Sequence, residues 1–193
     1  MKQFFEKISL EIVKAVKKDA KKILKEVRKE KIYAAALVTD SDCITLYLAV
    51  NTYEQMRERD LKYLKMFGDA WDEEKVEGIK NGTLSMAKWI PDEWAYSDGK
   101  ESKLNHVSRQ LYAKEEENSA VYAENMDLFL EAVTDAWKTL IKDKVFGEKT
   151  EDITYFISMS DDDRAEAIEN YSASQLNSKE RYEAFLKRFE ETV

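Results

Sequence analysis

Two short runs, Ile32–Thr39 and residues 44–50, constrain the fold more than any other part of the chain. Nearly every position in them is apolar or small, so neither face of either run suits water. Strands of that kind belong inside a sheet that is covered on both sides. Only Asp40-Ser41-Asp42-Cys43 separates them, which is short enough to join them as an antiparallel hairpin. The two aspartates suit a polar turn; a calcium loop would need a later glycine and glutamate that do not follow.

Periodicity supplies the covering layers. Across residues 2–30, Phe5, Ile8, Ile12, Ala15, Val16, Ile23 and Val27 recur at three- and four-residue steps, predicting a long amphipathic helix with a lysine-rich outer face. That face lacks the interleaved arginine or aromatic residues of a nucleic acid reader, so it reads as solvated. Thr52 and Gln55 form a capping-box signal for a helix ending near Phe67, with Met56, Tyr63, Leu64 and Phe67 facing inward. Residues 68–82, with three of the five glycines, read as irregular, and residues 84–89 as a third strand. A helix follows over 102–117, then a long central one carrying Tyr122, Phe129, Val133, Trp137 and Leu140, closed by Gly147. Residues 153–159 alternate as a fourth strand. Ser160 is placed to cap a helix beginning at Asp161-Asp162-Asp163, and Asn177 with Glu180 to cap the last one. The expected fold is α+β: a small, mainly antiparallel sheet of about four strands covered by helices, in a single domain spanning residues 1–193.

Composition narrows the chemistry. Cys43 is the sole cysteine and His106 the sole histidine, so an internal disulfide is impossible and the usual zinc ligands are too few; no metal or cofactor is expected. Cys43 has no neighbouring histidine to activate it and reads as structural. No stretch approaches the roughly 20 apolar residues of a membrane-spanning helix, and the N-terminus lacks the apolar centre of a secretory signal, so the expected location is the cytoplasm. Residues 1–31 carry 11 Lys and Arg against 5 Asp and Glu, while the remainder carries 20 against 34. An acidic body repels nucleic acid and anionic membranes and steers a basic protein partner; the same charge also keeps a protein soluble.

The only proline lies in Trp89-Ile90-Pro91-Asp92-Glu93-Trp94-Ala95-Tyr96, beside two of the four tryptophans. Pro91 pushes Ile90 toward extended backbone and opens a helical turn, whose first residues are the acids Asp92 and Glu93. Such a corner serves either to pack its indoles into the core or to display Trp94, Tyr96 and the acids to a partner.

Residues 87–96 resemble the Arg-Trp-x-Pro-x-Glu-Trp-x-Tyr box of an uncharacterised bacterial family, domain of unknown function 4303. Residues 32–40, residues 49–54 and the closing Ser158-Met159-Ser160-Asp161-Asp162, Ser172-Ala173 and Leu176-Asn177 resemble further stretches of it in the same order. Lys88 stands where the box has arginine, and Ser178 where proline tends to follow Leu-Asn. The resemblance implies small soluble proteins, some of which accompany secreted toxins as immunity proteins, and it carries over no catalytic residues.

Glycine-rich phosphate loops, nucleophile elbows and paired histidines are missing from the sequence. The leading expectation is therefore a protein-binding module, an immunity protein for a basic toxin domain. Its contact residues are expected to be Asp92, Glu93, Trp94, Tyr96 and Asp98 at the corner, with Asp72, Glu73 and Glu74. The alternatives are an enzyme near the corner using Asp92, Glu93 or His106, and a non-catalytic scaffold subunit.

Overall fold

The computed structural model describes residues 1–97 and 101–189. Helix α1 (Lys2–Val27) leads into β1 (Ile32–Thr39), which returns as β2 (Tyr47–Thr52). Next come α2 (Tyr53–Phe67), α3 (Glu73–Asn81), a 3-10 turn at Pro91–Glu93 and the two-residue β3 (Tyr96–Ser97). The second half contains α4 (Leu104–Glu117), α5 (Ser119–Ala123), α6 (Met126–Lys142), β4 (Thr154–Met159), α7 (Ala165–Leu176) and α8 (Lys179–Leu186). The sheet order is β3-β2-β1-β4. The β1–β2 and β2–β3 pairs are antiparallel, and the β1–β4 pair is parallel. The fold is α+β with an open mixed sheet.

Both faces of that sheet are covered, as its apolar strands require. Leu37, Leu48, Val50, Tyr155 and Ile157 point into one core shared with Phe5, Ile8 and Ile12 of α1, Val107 of α4 and Trp137 of α6. Ala34, Ala36, Val38, Ala49 and Phe156 belong to a second core with Tyr33, Trp94 and Phe185. In β1, Ile32 pairs with Thr52 but Ala34 with Asn51, a bulge that puts Tyr33 on the same side as Ala34. The three alanines leave room for large rings. Trp94 meets Phe156 edge-on at 5.8 Å, and Trp89 meets Phe185 edge-on at 5.1 Å.

The outer edge of β4 is completed by side chains. Asn177 accepts from the Tyr155 amide at 2.9 Å and donates to the Tyr155 carbonyl at 2.7 Å. Ser172 Oγ accepts from the Ile157 amide at 2.9 Å. These bonds satisfy backbone groups that have no neighbouring strand. They also give a physical role to the Ser172-Ala173 and Leu176-Asn177 stretches.

Several local expectations change, each for an identifiable reason. Strand β2 begins at Tyr47 rather than Ile44, because Asp40 accepts from the Ile44 amide and the Thr45 hydroxyl and Thr39 Oγ1 donates to the Thr45 carbonyl, holding the turn. Residues 84–89 do not pair: the Met86 amide donates to Asp60, and the Lys88 carbonyl accepts from Tyr33 and Trp94. Residues 73–81 form a helix, capped by Asp72 at its start and by left-handed Gly82 at its end. The one buried residue of α2 is Asp60, while Phe67 is exposed. The central helix is split at residues 124–125, where the Asn125 side chain and amide donate to the Val121 and Tyr122 carbonyls, so Tyr122 belongs to a separate α5 capped by Asn118. The Ser160 amide extends the sheet by donating to the Thr39 carbonyl, so the next helix starts only at Ala165 and Ser160 does not cap it. Asp162 instead binds the Arg164 amide and guanidinium, which hold its carboxyl down at about 2. Ser178, not Asn177, caps α8.

Candidate functional site

Pro91 opens a single 3-10 turn, in which the Glu93 amide donates to the Ile90 carbonyl at 2.9 Å and the Trp94 amide to the Pro91 carbonyl at 3.2 Å. The chain then re-extends into β3 instead of entering a longer helix. Trp94 is only 4% exposed, and its indole N–H donates to the Lys88 carbonyl at 3.2 Å. It packs edge-on against Tyr33 and Phe156, so it fills the core and is withdrawn from the expected contact surface. Tyr96 is half-buried and donates to Glu30 at 2.7 Å, with its hydroxyl pushed up to about 12 by burial and then by that carboxylate.

The corner acids are held by partners far away in sequence. Asp92 accepts from the Tyr47 hydroxyl, and Glu93 from the Tyr63 hydroxyl. Arg59 Nε approaches Glu93 at 3.7 Å. Burial, reinforced by the facing carboxylates, raises the pKa of both Tyr47 and Tyr63, so both phenols remain donors at neutral pH.

Helix α2 links this corner to the second acidic group. Tyr63 and Phe67 lie one turn apart with ring centroids 6.1 Å apart, and Phe67 meets Trp71 at 6.2 Å. The Lys75 ammonium lies 4.7 Å from the Trp71 ring centre. Next to Trp71, Asp72 accepts from the Lys75 amide at 2.7 Å, and Glu73 and Glu74 stand exposed in the first turn of α3. A row of rings thus runs from Glu93 to Asp72, with Phe67 47% exposed along it. Of the expected contact residues, Glu93 meets this row through Tyr63 and Asp72 follows Trp71 at its other end, with Asp92, Glu73 and Glu74 next to these two in the chain, while Trp94 and Tyr96 turn inward. Asp98 lies outside the described residues. Tyr63, Phe67 and Trp71 were not among the expected contacts, although their four-residue spacing was visible in the sequence.

His106 does not join the corner. It sits exposed on α4, whose Leu104, Val107 and Leu111 pack into the core on the other side of the sheet. A catalytic group combining His106 with Asp92 or Glu93 is therefore not assembled. Among the described residues, no group of three or more His, Cys, Asp or Glu side chains is placed to hold a metal ion. Cys43 is buried at the hairpin turn with its thiol pushed up to about 12 by burial, and Tyr122 donates to its carbonyl at 2.7 Å. No helix among the described residues is long and apolar enough to cross a membrane.

A model of the family described as Domain of unknown function (DUF4303) matches residues 12–178. The chain belongs to that family. No curated protein and no solved structure matches it. Within this DUF4303 domain, both departures from the family pattern fall where the structure tolerates them. The carbonyl of residue 88 receives the Tyr33 and Trp94 bonds, so those contacts are indifferent to Lys88 replacing arginine. Ser178 has φ −63, a value proline also adopts, and its hydroxyl adds an N-cap that proline lacks.

Proposed function

We propose that this DUF4303 domain is a cytoplasmic protein-binding module that covers a basic partner, the active domain of a secreted bacterial toxin, in the manner of an immunity protein in contact-dependent inhibition. Its support is the row Tyr63–Phe67–Trp71, which joins the acids of the Pro91 corner to those that open α3. Residues 69–77 alone carry five acids against Lys75. An exposed Phe67 between the half-buried rings of Tyr63 and Trp71, edged with carboxylates, matches the composition of an interface centre and the charge that steers a cationic partner. The same carboxylates disfavour nucleic acid phosphates and anionic membranes.

The test is calorimetric titration, at low ionic strength, against a catalytically inert toxin domain encoded beside the gene. Saturable binding is expected. Phe67→Ala should weaken it by on the order of thirtyfold, as loss of a central aromatic anchor does. Glu73→Lys with Glu74→Lys should slow association about tenfold, with a smaller effect at high salt. The proposal fails if no such toxin domain is encoded there, if no heat of binding is seen, or if none of these substitutions alters binding.

A further inference from the structure

Beside Trp89, on the side of the sheet that carries the indoles, lies a pocket of about 140 Å³ between the start of α2, residues 82–89 and Arg188. Met56, Leu84 and Trp89 contribute apolar wall. Its polar lining is unusual. Arg188 is only 4% exposed and held rigidly: Nη1 donates to Asn170 at 2.6 Å and to the Phe185 carbonyl at 3.2 Å, and Nη2 donates to Glu169 at 2.9 Å. The rings of Phe185 and Phe189 lie 4.1 and 4.4 Å from its guanidinium carbon. Its Nε–H is nevertheless buried without a partner, and so is Ser85 Oγ. Both residues line the same pocket. Buried donors are nearly always satisfied, and two orphaned in one small pocket mark a place for an acceptor.

The surroundings select the acceptor. Glu169 already offsets the Arg188 charge, and Lys88 is the other cation of the lining, so the pocket presents two unpaired polar atoms and about one positive charge. A singly charged, planar oxyanion fits such a place better than a phosphate dianion. The apolar wall fits a short hydrocarbon tail. We propose that this pocket binds a small monocarboxylate, with its head toward Arg188 Nε and Ser85 Oγ and its tail against Met56, Leu84 and Trp89. The site is distinct from the ring row that begins on α2 and ends at Trp71, and neither proposal depends on the other.

Tryptophan fluorescence of the whole chain, titrated with isobutyrate or benzoate, tests this, with phosphate and chloride at matched ionic strength as comparators. A saturable change with a Kd on the order of 1 mM is expected for the carboxylates. Ser85→Ala should raise that Kd about tenfold. Ser85→Leu should fill the pocket and abolish the response while circular dichroism and the melting profile show a folded protein. The proposal is overturned if the carboxylates give no saturable change, if phosphate or chloride gives the same change, or if Ser85→Ala binds as tightly as the parent.

Discussion

Asn177 shows how much one side chain can settle. Its amide makes both ladder bonds of Tyr155, a pairing that a strand would otherwise supply. Asn177→Ala leaves that N–H and carbonyl without protein partners and is expected to lose about 2 kcal/mol in urea unfolding, with faster hydrogen exchange at the Tyr155 amide. Glu30 acts similarly on the other side of the molecule, accepting from Thr52, Tyr96 and Gln55. Burial pushes its carboxyl up, but the three hydrogen bonds together outweigh that and hold it below the ordinary carboxylate value. A depressed carboxylate stabilises the folded state above its unfolded pKa, and the contribution disappears as pH falls through the lower folded value. Glu30→Gln is therefore expected to lower the melting temperature at neutral pH and to flatten its decline as pH falls below the ordinary glutamate range. At this scale the acids of the corner were legible in the sequence as acids, but their partners were not. Tyr47 and Tyr63 come from other elements, and no local pattern connects them to Asp92 or Glu93.

Elements were legible where one period dominated. The bounds of β1 and α2 follow directly from the sequence pattern, because the apolar run and the Thr52 cap each point one way. Helix α3 was obscured by competing signals: Gly78 lies inside it, although Asp72 and Gly82 are well-placed cap residues. Gly82 adopts φ +76, and an added Cβ there meets nothing within 4 Å. Gly82→Ala should therefore cost about 1 kcal/mol in urea unfolding through backbone conformation alone. Residues 84–89 misled in the opposite direction. Their place just before the Pro91 corner suggested a strand, yet Asp60, Tyr33 and Trp94 take the hydrogen-bonding groups of Met86 and Lys88. The inward face of α2 could not be read from hydrophobicity either, since its buried residue is a carboxylate that anchors that segment.

At the scale of the whole molecule, two faces of one sheet have different tasks. The face under α1, α4 and α6 is closed by a larger core of aliphatic side chains mixed with rings such as Phe5, Phe129 and Trp137, and His106 lies on that side. The other face holds the aromatic cluster, and next to it lie the carboxylate pocket and the ring row. The sequence made the sheet and its two coverings visible, together with the charge contrast between residues 1–31 and the rest. Which acids share a side with which rings depends on how α2 lies across the indole face, and that arrangement has no signature in spacing. Sheet order carries a different consequence. Val38 finds Tyr47 nearby, but Ala34 waits for Thr154. A roughly tenfold longer loop adds about 2 kcal/mol of closure entropy. On a ribosome, which emits the chain from its amino end, the hairpin can close early while the central strand keeps one naked flank through most of translation.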